Sequence, residues 1–173
     1  MNFDEFSRED LIKIIKTYAK LWLAHDGCWF LAAEKKYGMD TAIELDTLSW
    51  EQFTVIEAKR IMKTFQLPEN GGLETLKRAL GLRLYASINI QEIQDGKDNC
   101  IIFRMKECRV QNARKRRGLP DFPCKSVGLV EYTGFAKTVD PRIKTECIAC
   151  PPDPHPEDFY CAWRFSLEPS SIS

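Results

Sequence analysis

The chain has little of what usually announces a function. It has no excess charge of either sign, because 25 Lys and Arg balance 25 Asp and Glu over 173 residues. That balance gives no hint of a polyanionic partner or an acidic substrate, so any electrostatic function must be local. No apolar run reaches the roughly 18 residues that a membrane-spanning helix needs. The start, MNFDEFSRED, is acidic and lacks the basic and apolar segments of a secretory signal, so the expected location is the cytoplasm. No Pro/Gly/Ser-rich linker, internal repeat or low-complexity stretch beyond PPDPHP divides the sequence. A single domain over 1–173 is expected, helical to about residue 82 and sheet-forming after it. The seven cysteines are an odd number in a chain without a signal, which disfavours a disulfide framework and favours reduced, metal-binding or reactive thiols.

The first half has helical period. Ser7 followed by Asp10 resembles a capping box, and Leu11, Ile14, Ile15, Tyr18, Leu21 and Trp22 recur at helical spacing, predicting a helix over about 8–37. Gly27 inside it costs about 1 kcal/mol relative to alanine, which points to a kink or to close approach of another backbone. Gly38 is the natural stop. A second helix over about 40–66 carries Ile43, Trp50, Phe53 and Ile61 on one side, with Asp46 and Glu57 on the same stripe, and Pro68 with Asn70-Gly71-Gly72 ends it. LETLKRALG predicts a third, shorter helix.

After Arg83 the period changes to two. LYASINIQEIQ and NCIIFRMKECRVQ alternate around Asp95-Gly96 and predict an antiparallel hairpin. RKRRGLPDFP reads as a basic, proline-punctuated connection. KSVGLVEYTGFAKTV predicts a helix with Val127, Val130 and Phe135 inward, despite Gly128 and Gly134. RIKTECIA and DFYCAWRFSLE read as strands, the second with Cys161, Trp163 and Phe165 on one face. The fold class is therefore α+β, a helical layer on a small antiparallel sheet.

Cys124, Cys147, Cys150 and Cys161 carry the most specific chemical signal. The CxxC of Cys147 and Cys150 holds two sulfurs on one tight turn, and Cys124 and Cys161 flank it. Four thiolates suit tetrahedral zinc, which accepts a closed sulfur shell. Such a shell leaves no position for water, so the metal would stabilise the fold rather than hydrolyse a substrate. An iron–sulfur cluster is the alternative, because Cys150-Pro151 has the ending of bacterial ferredoxin motifs. Free or redox thiols are a third reading. His155 could replace one thiolate, although PPDPHPED reads as an exposed loop.

A second set lies around Cys108. Arg109, Gln111 and Arg114 follow it, and His25, Asp26, Asp46 and Glu57 lie on the helices expected over the sheet. A thiol, a histidine and carboxylates have the makings of a nucleophile with its base and orienter. Buried salt bridges, such as Glu57 with Arg60 or Arg114, are the plainer reading. Trp22, Trp29, Trp50 and Phe53, with Arg109, Gln111 and Arg114, are the candidates for a small-molecule pocket. The run Arg114, Lys115, Arg116 and Arg117 lacks interleaved aromatics and is expected to be a solvated loop, so nucleic acid is not the favoured partner.

Helices, then a hairpin, then Cys, helix, strand, CxxC and a closing Cys-x-x-x-Phe strand resemble the vinyl-reductase-type (4-vinyl reductase-like) small-molecule-binding domain. Aromatic-sensing regulators of that group carry zinc in this part of the fold. The resemblance implies Cys124, Cys150 and Cys161 as ligands, with Cys147 standing where those sensors have a carboxylate. AHDGCWF, EAKRI, CRVQNARKRRGL and DPRIKTECIACPPDPHP make the whole chain look like a family of uncharacterised cytosolic proteins of anaerobic microbes. A more distant likeness is to the amino-thiazoline-carboxylate hydrolase family. The expectation is a zinc-containing binding or sensor domain for a small organic molecule, without membrane attachment and with a homodimer as one possible state. The alternatives are a small hydrolase-like enzyme using Cys108 or Asp46/Glu57, and an iron–sulfur redox protein.

Overall fold

The computed structural model describes residues 2–167. The chain forms two compact units that divide after Ala42.

The first unit holds a 3-10 turn, Phe3–Glu5, and helix α1 (Arg8–Tyr37). Ser7 is its N-cap. The Ser7 Oγ accepts from the Asp10 backbone N–H at 3.1 Å and donates to Asp10 Oδ2 at 2.6 Å, so Ser7 caps the helix through its side chain and the Asp10 carboxylate meets the hydroxyl. Gly38 ends the helix at φ 87°, its N–H donating to the Glu34 carbonyl. Gly27 has nothing within 4 Å of where a Cβ would stand, and the helix runs on through it. The close approach that this glycine suggested is absent.

Helix α2 (Met39–Phe65) begins in the first unit and runs into the second. The second unit continues with α3 (Gly72–Gly81), a 3-10 turn Leu84–Ser87, and strands β1 (Ile90–Gly96) and β2 (Cys100–Glu107). Then come α4 (Arg109–Arg116), α5 (Lys125–Val139), β3 (Ile143–Ala149) and β4 (Cys161–Leu167). The sheet is fully antiparallel in the order β1-β2-β4-β3. The α+β class read from the sequence is what the chain adopts.

Three expectations are corrected. The turn expected at Asp95-Gly96 lies at 97–99, because both residues pair in the hairpin, with Ile101 and Cys100. The first hairpin strand starts at Ile90, not near Arg83, because Leu84–Ser87 coil into a 3-10 turn. The second strand stops at Glu107, and the stretch expected as strand end and basic connection is helix α4. Its inward residues, Gln111 and Arg114, are polar, so no apolar period marks it.

Phe103, Trp163 and Phe165 project from one face of the sheet into a core completed by Leu76 and Leu80 of α3 and by Tyr132, Phe135 and Val139 of α5. The two glycines of α5 make this packing possible. A Cβ on Gly128 would lie 2.7 Å from the Trp163 ring, and one on Gly134 would lie 2.6 Å from the Thr54 methyl. Thr54 also donates from Oγ1 to the Glu131 carbonyl at 2.7 Å, fastening α2 to α5. Close approach, not a break in the helix, is therefore the reason for glycine at both positions.

Candidate metal centre

Cys124, Cys150 and Cys161 meet at one end of the sheet, beneath the N-terminus of α5. Cys124 is the N-cap of that helix. Its Sγ stands 3.6 Å from Cys150 Sγ, and Cys161 lies near enough to Cys150 to help raise its pKa. Cys161 opens β4, paired with Met105 of β2. The edge of a tetrahedron with 2.3 Å Zn–S bonds is about 3.8 Å, close to the Cys124–Cys150 separation. Cys147, half-buried on β3 opposite Trp163, faces the same core end.

The backbone around the CxxC directs its thiols. β3 is irregular between Cys147 and Ala149, which leaves Ile148 exposed and brings Cys150 to full burial. The Cys150 carbonyl accepts from Asp153 N–H, and the Pro151 carbonyl accepts from Lys125 N–H, each at 2.9 Å. Lys125 Nζ then reaches Asp153 Oδ2 at 2.6 Å. The turn after the CxxC is thus tied to the first residue of α5.

Cys108 is the thiol that sequence reasoning placed elsewhere. It is the N-cap of α4 and packs against the same core as Cys124 and Cys147. It lies close enough to Cys161 and Cys124 for their charge to act on it. Five of the seven cysteines therefore gather at one end of the sheet. Cys28 is exposed on α1, and Cys100 is buried with its thiol donating to the Lys97 carbonyl at 2.9 Å. No spacing rule joins Cys108 to the quartet. Only the strand register and the unexpected α4 do so.

The thiols differ in acidity. The hydrogen bond with Cys150 holds Cys124 below the usual thiol range and raises Cys150. Burial raises Cys147. Burial also pushes the Cys108 thiol up to about 12, against the opposing hydrogen bond from Gln111 N–H. A thiol so placed is protonated at neutral pH and lacks the activation a nucleophile needs. Among the described residues, no group of three or more His, Cys, Asp or Glu side chains is placed so that it could hold a metal ion, so the four-cysteine metal site expected from the sequence is not formed among them. What the fold does bring together is soft thiols from the start of α5, from β4 and from the CxxC turn, with the N-terminus of α5 and Lys125 beside them.

Gln111 and Arg114, candidates for ligand contact, are both buried and committed to the protein. Gln111 donates to the Phe122 carbonyl and accepts from Phe122 N–H, both at 2.9 Å, and its Nε2 lies 3.7 Å from Cys124 Sγ. Arg114 donates from Nε to the Pro120 carbonyl at 2.8 Å. Together they brace the loop that delivers Cys124. Lys115 reaches Tyr160 Oη at 3.2 Å, and that hydroxyl donates to Asn112 at 2.7 Å. Of the expected solvated basic run only Arg114 is buried, while Lys115, Arg116 and Arg117, with Arg109, are exposed, and the run is helical rather than a loop. His155 is engaged locally, its Nδ1 2.8 Å from the Pro156 carbonyl oxygen.

Glu57 does not meet Asp46. Eleven residues of helix separate them by about 16 Å. The partner of Glu57 is Arg83, which the sequence did not single out. Arg83 Nε and Nη2 both stand 2.9 Å from Glu57 Oε2, and Nη2 stands 2.7 Å from Glu131 Oε1. The guanidinium is buried among the rings of Trp50, Tyr85, Tyr132 and Phe135, 4.8 to 5.7 Å from their centres. Burial alone would lower the affinity of Arg83 for its proton, but Glu131 and Glu57 more than offset it. Trp50, expected to face a ligand, faces Arg83 and stacks on Tyr85 at 6.0 Å. Phe53 lies edge-on to Trp50 at 5.3 Å.

On α1, Trp29 and His25 are exposed and Trp22 is half-buried. A cleft of about 270 Å³ lies between Gly71, Leu73 and Glu74 and the hairpin residues Asp95, Gly96, Asn99 and Cys100. None of the residues proposed from sequence for ligand contact lines it. Among the described residues, no helix is long and apolar enough to cross a membrane.

No curated protein and no solved structure matches the chain. A family model described as a family of unknown function, DUF6125, matches residues 4–167. Its span takes in α1, the Arg83 network and all five clustered cysteines, and the chain therefore belongs to that family.

Proposed function

We propose that this is a zinc-containing, small-molecule-binding domain in which Cys124, Cys147, Cys150 and Cys161 hold one structural zinc ion. The observation that carries the metal reading is the 3.6 Å approach of Cys124 to Cys150, with Cys161 close by and Cys147 on the strand adjoining that of Cys161. Cys150 and Cys161 are buried and Cys124 is half-buried, and thiols brought this close are what a shared metal ion would need. When bound, zinc supplies a closed tetrahedral crosslink between α5, β3 and β4 and releases the thiol protons on binding. The protein's part is to aim the sulfurs, through the tie between Pro151 and Lys125 and the Gln111 brace behind Cys124.

The binding part of the reading rests on the resemblance to vinyl-reductase-type domains. It is narrowed by Arg83, which fills the aromatic space around Trp50. A ligand entering there would have to replace a guanidinium, so an organic cation fits the vacated carboxylates and rings better than a neutral aromatic does. The hydrolase alternative has less support, because Cys108 is held protonated and Asp46 is remote from Glu57.

The test is metal content of protein purified without oxygen. Wild type and Cys108→Ser are expected to carry about one zinc per chain, and Cys150→Ser to lose it with a fall in thermal stability. Zinc lost equally from Cys108→Ser and retained by Cys147→Ser would replace Cys147 by Cys108 in the shell. Iron with acid-labile sulfide would replace the zinc reading with the iron–sulfur one.

A further inference from the structure

Helix α1 exposes a run of large apolar side chains. Ile15 and Leu21 are 60% exposed, Tyr18 is 54% exposed and Trp29 is 70% exposed. At 100° per residue these four fall with Leu11 and Trp22 into a stripe about 120° wide, running about 27 Å along the axis. Their exposed area comes to roughly 500 Å² per copy, or about 1,000 Å² over two copies, the lower bound for a specific protein interface. A patch of roughly 500 Å² is as large as a monomer ordinarily exposes, and such patches are often functional.

Charge identifies the occupant. The N-terminal end of this segment is acidic, with Asp4 and Glu5 in the 3-10 turn and Glu9 and Asp10 in the first turn of α1. The last turn carries Lys35 and Lys36. The apolar stripe is centred near residue 20. An antiparallel pair related by a two-fold axis there sets Tyr18 against Trp22 of the second copy and Leu11 against Trp29. The same register brings Asp4 and Glu5 to Lys36 and Lys35. Apolar centre and complementary ends are satisfied by one alignment, and a parallel pair would instead place acid on acid and lysine on lysine.

We infer that two copies of this chain pair antiparallel through the α1 stripe. The pairing rests on α1 alone and is independent of the metal reading. A two-fold contact of this kind is self-complementary, so it closes at the dimer and leaves no edge for further growth.

The experiment is light scattering coupled to gel filtration on the full chain, with helicity and zinc content recorded for each variant. Wild type runs as a dimer. Tyr18→Glu/Trp29→Glu runs as a monomer with helicity and metal unchanged. Lys35→Glu/Lys36→Glu weakens the dimer about tenfold, and adding Asp4→Lys/Glu5→Lys restores it. A monomeric wild type overturns the proposal, as does a dimer indifferent to Tyr18→Glu/Trp29→Glu. Charge reversals that do not compensate one another overturn the antiparallel register.

Discussion

Arg83 Nε donates to Glu57 Oε2 at 2.9 Å, and through this pair a residue following α3 is fixed to the middle of α2. The same guanidinium contacts Glu131 of α5 at 2.7 Å. Three helical segments thus converge on one buried cation. The two carboxylates are almost as deeply buried as the cation, so they depend on it. Replacing one partner of a buried pair costs about 3–5 kcal/mol, because the remaining charges stay in the interior without compensation. Arg83→Ala is expected to lose about that much in urea denaturation. Adding Glu57→Gln and Glu131→Gln to it should recover part of the loss. A loss below about 1 kcal/mol would place the network at the margin of the fold.

The two kinds of helical glycine predict opposite signs. Gly128→Ala pushes a methyl to 2.7 Å from the Trp163 ring, which lies between two sheet neighbours and cannot withdraw. A destabilisation of about 1–3 kcal/mol follows. Gly27→Ala meets open space within a continuous helix and is expected to stabilise by up to about 1 kcal/mol. Thermal unfolding of both variants checks the pair.

Asp140 predicts a pH dependence. Its buried carboxylate accepts from Arg142 Nη2 at 2.6 Å, from Arg142 Nε at 2.9 Å, and from Arg142 N–H and Gly72 N–H at 3.0 Å. The Arg142 hydrogen bond leads in holding the carboxyl down to about 2, from an ordinary value of 3.8. A depressed carboxylate stabilises the folded state above its unfolded value, and the contribution fades as pH falls from about 4 to about 2. Asp140→Asn is expected to cost about 1–3 kcal/mol at neutral pH. The gap between wild type and variant should narrow across that acid window. A gap constant with pH would remove Asp140 from the account of acid stability.

Helix α1 was legible to the residue at both ends, because Ser7 and Gly38 act locally and need no tertiary context. Helix α5 matches as closely, and the two C-terminal strands were legible as strands although the last begins at Cys161 rather than at Asp158. Helix α4 was not legible. Its buried side is Gln111 and Arg114, held by carbonyls of a loop that follows it, and hydrophobic period cannot report a face satisfied by hydrogen bonds. Glu57 was rightly expected in a buried ion pair, but its partner comes from 26 positions away rather than from Arg60 or Arg114. The thiols show the same limit. The CxxC and its flanking cysteines stand out by spacing, whereas Cys108 joins them only through the fold.

X-ray absorption at the zinc edge, on anaerobically purified full-length protein, addresses the central claim. The account predicts one zinc per chain with four sulfur neighbours at about 2.3 Å and no oxygen in the shell. Protein that folds without zinc, or zinc held by a shell of nitrogen and oxygen, would contradict it.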